Sequence, residues 1–146
     1  MLTEFQYSGR VISASVLRQA TRFHGHLGPW LVLGLHAGAY ARKKLAVSPF
    51  KLNAQVFCPA GTPYTCFVDG IQFSSGCTMG KGNISHLRAA GCRVEFTRKD
   101  KPGRVRLTLR PEVWDELHSV RCKGMAGAAR LGREFARRRL AELFTE

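Results

Sequence analysis

Residues 93–110 read RVEFTRKDKPGRVRLTLR, and this stretch decides the fold class. Apolar and polar side chains alternate over 93–98 and again over 104–110, which is the period of a β-strand with one buried face. The intervening residues 99–103 contain Asp, Pro and Gly and predict a hairpin turn. An antiparallel pair of strands is therefore expected in the second half of the chain.

Helices are predicted on both sides of this hairpin. Apolar spacing and cap residues predict helices over 13–23, 29–46 and 63–73, and strands over 52–57 and 84–87. After the hairpin, a short helix is expected over 112–119 and one long amphipathic helix over 125–144. We therefore expect an α+β fold, a single compact domain with a mainly antiparallel sheet packed against helices. Residues 1–111 form the predicted core, and residues 112–146 a basic helical extension packed on the same domain.

The predicted second helix carries small residues on one face, among them Gly34, Ala37, Gly38 and Ala41. Small side chains allow another backbone to approach closely. We expect this helix to lie against a sheet or against a second copy of the chain.

The composition excludes several classes of protein. With 45% hydrophobic residues in 146, the chain is neither a low-complexity tail nor a disordered basic arm. No apolar run reaches the ~18 residues of a membrane span, and residues 1–10 carry no export signal, so a cytoplasmic protein is expected. Five cysteines are an odd number, which favours metal or redox chemistry over a disulfide framework.

The net charge of +13 raises a further hypothesis, a nucleic-acid or acidic-partner binding module. The excess of basic residues is spread along the chain, and no aromatic residues are interleaved with a basic cluster. Nucleic acid is therefore the less favoured partner, and an acidic protein surface is at least as well supported.

Two compact clusters hold residue types that bind transition metals. His24 and His26 precede the second helix, and Cys66 and Cys77 bracket Asp69. Imidazole and thiolate ligands suit Zn²⁺, Ni²⁺ or Fe²⁺ and not the oxygen-seeking Mg²⁺ or Ca²⁺. For any single one of these residues, a structural role in the core is the competing interpretation.

The three remaining cysteines have no partner at metal-ligand spacing. Cys92 heads an alternating strand and is predicted to lie in the core, whereas the spacing of Cys58 and Cys122 leaves their roles open.

The glycine-dense run over 76–83 resembles a phosphate-binding loop but departs from the nucleotide-binding pattern. Three residues, not four, separate Gly76 from Gly80 and Lys81, and Gly82 follows in place of Ser or Thr. Lys81 and the amide of Asn83 remain able to contact a carboxylate, a phosphate or a pterin-like ligand. A tight structural turn is the alternative.

Three ordered blocks carry a resemblance to a known family. The sequences FHGHLGP over 23–29, CFVDGIQ over 66–72 and GCTMGKGN over 76–83 resemble the FmdE family of formylmethanofuran dehydrogenase proteins. This resemblance implies an α+β core, a homodimer and a metal-binding active site. It implies His24 and His26 as metal ligands, Cys66 as a ligand or reactive thiol, and Cys77 as a second thiol of the same pocket.

The same resemblance implies roles for the residues around the ligands. Asp69 and Cys77 become the catalytic candidates, with Asp69 orienting an imidazole or accepting a proton. The residues implied to contact a bound ligand are Gln72, Thr78, Lys81 and Asn83.

Two departures from the family pattern bear on this transfer. Gly28 stands where many members have a cysteine, so one potential thiolate is missing, and no zinc-ribbon module follows the core.

The first hypothesis is a metal-binding accessory subunit, or a metal- or cofactor-handling partner, of a molybdenum or tungsten formylmethanofuran dehydrogenase. Zinc is the first expectation for the metal, with nickel and iron as alternatives. A small stand-alone enzyme using a thiol or a metal is the competing hypothesis.

Overall fold

The computed structural model describes residues 11–146, in which six α-helices pack against a five-stranded sheet. The helices are α1 (Ala14–His24), α2 (Pro29–Leu45), α3 (Cys66–Ser75), α4 (Pro111–Leu117), α5 (Gly124–Arg137) and α6 (Leu140–Leu143). The strands are β1 (Leu52–Cys58), β2 (Ile84–Arg88), β3 (Arg93–Arg98), β4 (Arg104–Leu109) and β5 (Phe144–Thr145). Two short 3₁₀ turns, Pro49–Lys51 and Val120–Cys122, join these elements.

The strand order in the sheet is β2-β1-β3-β4-β5. Strands β1 and β2 are parallel, and the other three neighbouring pairs are antiparallel. The predicted hairpin is β3–β4, with Phe96 opposite Val105, and both side chains are buried. The α+β class with a mainly antiparallel sheet is thus confirmed, and alternate residues of each central strand face the helices.

Helix α2 packs directly on α3 through glycines. A Cβ atom built on Gly34 would lie 2.8 Å from the Cα of Gly70, and the reverse substitution meets the same limit. Gly38 contacts Ser74 one turn further along, so the two helices run side by side in the same direction. The face with Gly34 and Gly38 lies against a helix of the same chain, and α2 also contacts β3 and β4, so the expectation that α2 lies against a sheet is confirmed. This packing sets the starts of α2 and α3 next to each other.

The predicted single helix over 125–144 is wrong. Helix α5 ends at Arg137, since Arg138 and Arg139 adopt extended backbone conformations. The guanidinium of Arg138 binds Glu116 at 2.6 Å. Phe144 then pairs with Leu109 in the sheet and is buried. Tertiary contacts outweigh helix propensity here. The end of the chain belongs to the sheet, and the boundary near residue 111 stays a prediction.

Residues 1–10, on which the expectation about an export signal depends, lie outside the described residues. Within residues 11–146, the helices are too short or too polar to cross a bilayer.

Candidate metal centre

The two histidines of the His-x-His pair lie where α1 ends and α2 begins. Gly25 ends α1 in the left-handed conformation, with φ 112°, and donates its N–H to the carbonyl of Thr21 at 2.7 Å. Glycine suits this position because it has no Cβ to clash. Helix α2 begins at Pro29, which favours the first helical turn. The short turn brings the rings of His24 and His26 together, with their Nε2 atoms 3.2 Å apart.

Helix α3 brings a third ligand atom to this pair. Cys66 is its first residue, and its Sγ and the ring nitrogens of His24 and His26 all lie within 4.8 Å of one another. Among the described residues, no other three His, Cys, Asp or Glu side chains form such a group. The contact of Gly34 with Gly70 supports this arrangement, because it aligns the start of α3 with the start of α2.

Asp69 lies one turn after Cys66 and contacts the other side of the His24 ring. Its Oδ2 is 2.6 Å from His24 Nδ1. A carboxylate at this distance favours a proton on Nδ1 and leaves the lone pair of Nε2 facing the group. Histidine ligands of metal ions commonly donate their second ring N–H in this way, which fixes the tautomer and the ring orientation. Asp69 thus lies against the second ring nitrogen of His24, and its role in orienting a metal ligand stays a prediction.

The electrostatics of the site favour a neutral Cys66 within the protein alone. Burial raises the pKa of the Cys66 thiol, and the Asp69 carboxylate adds to the rise, while the backbone N–H of Cys66 opposes it. A divalent cation between the three ligand atoms would reverse this balance by stabilising the thiolate.

The donor set fits a zinc ion. Two imidazoles and a thiolate are common zinc ligands, and two nitrogen ligands of a tetrahedral zinc ion lie about 3.4 Å apart, close to the observed 3.2 Å. His26 Nδ1 is buried without a hydrogen-bond partner. If His26 binds a metal through Nε2, its Nδ1 carries the proton, and that N–H has no acceptor here. Among residues 11–146 no fourth His, Cys, Asp or Glu belongs to this group, so a zinc ion held by the three side chains would have one tetrahedral position open.

Gln72 connects Asp69 to the glycine-rich loop. Its Nε2 donates to Asp69 Oδ1 at 3.4 Å, and its Oε1 accepts the backbone N–H of Met79 at 3.0 Å. The loop over 76–83 therefore lies beside the candidate metal centre. Its tip is open to solvent, since the Met79 side chain is 86% exposed.

The other predicted ligand contacts lie in this loop. Asn83 is buried; its Oδ1 accepts the N–H of Thr78 at 2.9 Å, and its Nδ2 donates to the carbonyls of Pro49 and Leu52. This amide therefore closes the loop onto the fold. Lys81 lies over the ring of Phe50, with its Nζ 5.4 Å from the ring centroid. Ligand contacts by these residues stay predictions.

The structure does not bring Cys77 into the group of ligand atoms. Its side chain is fully buried. Burial raises the pKa of the Cys77 thiol, although Ser75 and nearby basic residues counteract this. A buried neutral thiol is a poor nucleophile. The catalytic role of Cys77 stays a prediction, and its surroundings give that role no support.

The remaining cysteines occupy different environments. Cys92 lies in the core, as predicted. Cys58 is also buried, with its Sγ 3.3 Å from His86 Nε2, and burial raises the pKa of its thiol to about 11. Cys122 is half-buried.

Four aromatic rings that no sequence pattern predicted form a cluster beside the site. Tyr64, two residues before Cys66, stacks on Trp114 at 5.8 Å, and Trp30 meets Tyr64 edge-on at 5.2 Å. His118 Nε2 lies 3.0 Å from the Tyr64 hydroxyl. These contacts anchor α4 on the starts of α2 and α3. The rings come from three distant segments, so no periodic signal in the sequence connects them.

Residues 23–145 match the family model described as FmdE, molybdenum formylmethanofuran dehydrogenase operon. The chain belongs to this family. The FmdE match includes all three candidate ligands and reaches β5, so it covers both the candidate metal centre and the sheet. The resemblance drawn from the three sequence blocks is thereby confirmed.

A curated relative from Archaeoglobus fulgidus, a probable S-adenosyl-L-methionine-binding protein, is 28% identical to this chain over 104 residues. The match covers 66% of this chain and 27% of the relative. The chain therefore spans about a quarter of the length of that relative.

Proposed function

We propose that this FmdE-family protein binds one zinc ion through His24, His26 and Cys66. The observation that carries the proposal is the convergence of these three ligand atoms within 4.8 Å, with Asp69 on the second ring nitrogen of His24. Exposed acidic clusters often form without a metal, but two imidazoles and a buried thiol at this spacing are an unusual structural arrangement. Nickel and iron are the alternatives, since both accept the same donors.

Each residue has a defined task in this proposal. His24, His26 and Cys66 hold the ion, and Asp69 keeps the His24 ring in its binding orientation. A zinc ion with an open fourth position supplies Lewis-acid chemistry to a ligand bound there.

Metal content of the purified protein tests the proposal. Wild-type protein, purified without chelators, is expected to contain about one transition metal ion per chain by elemental analysis. Replacement of His24 or His26 by alanine, or of Cys66 by serine, removes one of three ligands and is expected to lower the metal content sharply. Cys122→Ser and His118→Asn serve as matched controls, because both residues lie outside the group. Full metal content in the three ligand variants would contradict the proposal.

In its proposed biological role, the protein assists a molybdenum or tungsten formylmethanofuran dehydrogenase, either as an accessory subunit or as a partner that handles its metal or cofactor. The operon named in the family description supports this association. Co-expression with the dehydrogenase subunits, followed by affinity purification at moderate salt, tests for a complex.

A homodimer is part of the same proposal, and analytical ultracentrifugation of the purified chain is expected to show twice the monomer mass. A monomer over the whole concentration range would exclude it.

A stand-alone metal-dependent enzyme is the second candidate, favoured by the open fourth position. Catalytic zinc sites typically have three protein ligands and one exchangeable position. In cobalt-substituted protein, acetate or phosphate should then change the visible spectrum, and Cys66→Ser should abolish the effect. An unchanged spectrum would speak for a closed, structural site.

A further inference from the structure

The side-chain amide of Gln72 hydrogen-bonds an acceptor on one side and a donor on the other. Its Nε2 faces the Asp69 carboxylate, and its Oε1 faces the N–H of Met79. A flipped amide would direct a donor at the Met79 N–H and an acceptor at the carboxylate, so the two partners fix one orientation. Hydrogen bonds thus run without interruption from His24 through Asp69 and Gln72 to the loop backbone.

The loop that receives this contact has a firm base and an open tip. At the base, the buried amide of Asn83 binds Thr78, and the N–H of Lys81 donates to the Thr78 hydroxyl at 3.3 Å. At the tip, Met79 is exposed, and a Cβ on Gly80 would meet no atom within 4 Å. The tip therefore has little packing, and the hydrogen bond to Gln72 ties it to α3.

We infer that Gln72 is a positioning residue that couples occupancy of the metal centre to the position of the loop tip at Met79. This inference rests on the proposed metal binding. A cation on His24 Nε2 draws electron density from the ring and strengthens the Nδ1–H donation to Asp69. The carboxylate is then held in place, and Gln72 has a fixed acceptor on one side and a fixed donor on the other. The metal-bound protein holds the tip against α3.

Hydrogen exchange at the Met79 backbone amide tests the coupling directly. In wild-type protein, one equivalent of Zn²⁺ is expected to slow exchange of this amide at least about threefold. The amide of Lys99, which donates to the carbonyl of Lys51 at 2.8 Å in another part of the fold, is the internal reference and should not change.

Two variants separate coupling from a merely structural role. Gln72→Leu removes both hydrogen bonds, so exchange at Met79 should be fast with or without zinc. Gln72→Glu keeps an acceptor for the Met79 N–H but loses the donor to Asp69 and sets two carboxylates side by side. Exchange at Met79 should therefore stay near the rate of the zinc-free wild type and become insensitive to zinc. Gln19→Leu is the matched control, because Gln19 hydrogen-bonds Ser15 within α1, and it should behave as wild type.

Zinc binding is measured in the same samples by calorimetry. Wild-type protein that binds zinc without a change at Met79 would overturn the coupling and leave the proposed metal site intact. A wild-type zinc response in Gln72→Glu would also overturn it. Wild-type protein that binds no zinc would overturn both proposals.

Discussion

Replacing Asp69 by asparagine removes the carboxylate from the proposed metal centre while keeping the shape of the side chain. Both carboxylate oxygens accept a hydrogen bond, one from His24 Nδ1 and one from Gln72 Nε2. Asparagine has one oxygen, so its amide nitrogen must face one of these two donors. Either His24 or Gln72 then loses its acceptor.

The expected loss of zinc affinity follows from the His24 contact. Removal of a carboxylate partner from a histidine ligand typically costs 10- to 100-fold in metal affinity, and each tenfold step is about 1.4 kcal/mol. The Asp69 side chain is 37% exposed, so water replaces part of the lost interaction. We therefore expect a fall of roughly 10- to 30-fold, or about 1.4 to 2 kcal/mol.

Competition against a chromophoric zinc chelator at neutral pH measures this change. Asp100→Asn is the control, because Asp100 pairs with Arg98 in the β3–β4 turn. Its zinc affinity should equal that of the wild type. Equal affinities of the Asp69→Asn and wild-type proteins would refute the role of the carboxylate, and equal losses in both variants would trace the effect to net charge.

Three further predictions concern packing, pH and the unsatisfied imidazole. Gly70→Ala places a Cβ 2.8 Å from a backbone atom of α2 and should lower the free energy of unfolding, measured in denaturant melts, by about 2 kcal/mol or more. Gly80→Ala places its Cβ in open space, so its free energy of unfolding should stay within about 0.5 kcal/mol of wild type. Burial lowers the pKa of His36 from 6.5 to about 4, so between these pH values the unfolded chain binds a proton at His36 and the folded chain does not. The free energy of unfolding should therefore fall by about 3 kcal/mol in total as the pH drops from 6.5 to 4, and His36→Gln should remove this part of the pH dependence. A Cβ on Gly28 would lie 3.5 Å from His26 Nδ1, so the hydroxyl group in Gly28→Ser can accept a hydrogen bond from this buried N–H. The serine variant should therefore bind zinc roughly 3- to 10-fold tighter than Gly28→Ala, and equal affinities would count against an unsatisfied donor at Nδ1.

Local sequence signals were sufficient for the central elements of the fold. Alternation in residues 93–110 predicted β3, β4 and their turn, because one face of this hairpin is buried and the other is solvated. Pro29 marked the start of α2. Ser13 precedes α1, and its Oγ accepts the N–H of Val16 at 3.2 Å, as expected for a serine that caps a helix.

Long-range contacts account for what the sequence did not reveal. The break at Arg138 depends on Glu116, which lies 22 residues earlier and has no periodic relation to the helix. Pairing of Phe144 with Leu109 likewise requires the finished sheet edge. Small residues on α2 predicted a close neighbour but not its identity, since a helix, a strand or a second chain satisfies the same spacing.

The candidate site likewise combines one contact that follows from local sequence with others that depend on the fold. His24 and His26 are two residues apart, so their proximity is a local property of a short turn. The approach of Cys66 and Asp69 depends on α3 lying along α2, and only the family resemblance linked the two blocks before the fold was known. Cys77 is near Cys66 in sequence, yet the fold places it outside the ligand group.

The ring cluster gives this protein a built-in optical reporter. Trp30 and Trp114 are the two tryptophans of the chain, and their rings lie 6.0 Å apart in that cluster. Tyr64, which contacts both, is two residues from Cys66. Tryptophan emission therefore originates from one corner of the fold, beside the proposed zinc ligands. A zinc titration can be followed by intrinsic fluorescence without any added label, and the signal reports on this corner and not on the rest of the molecule.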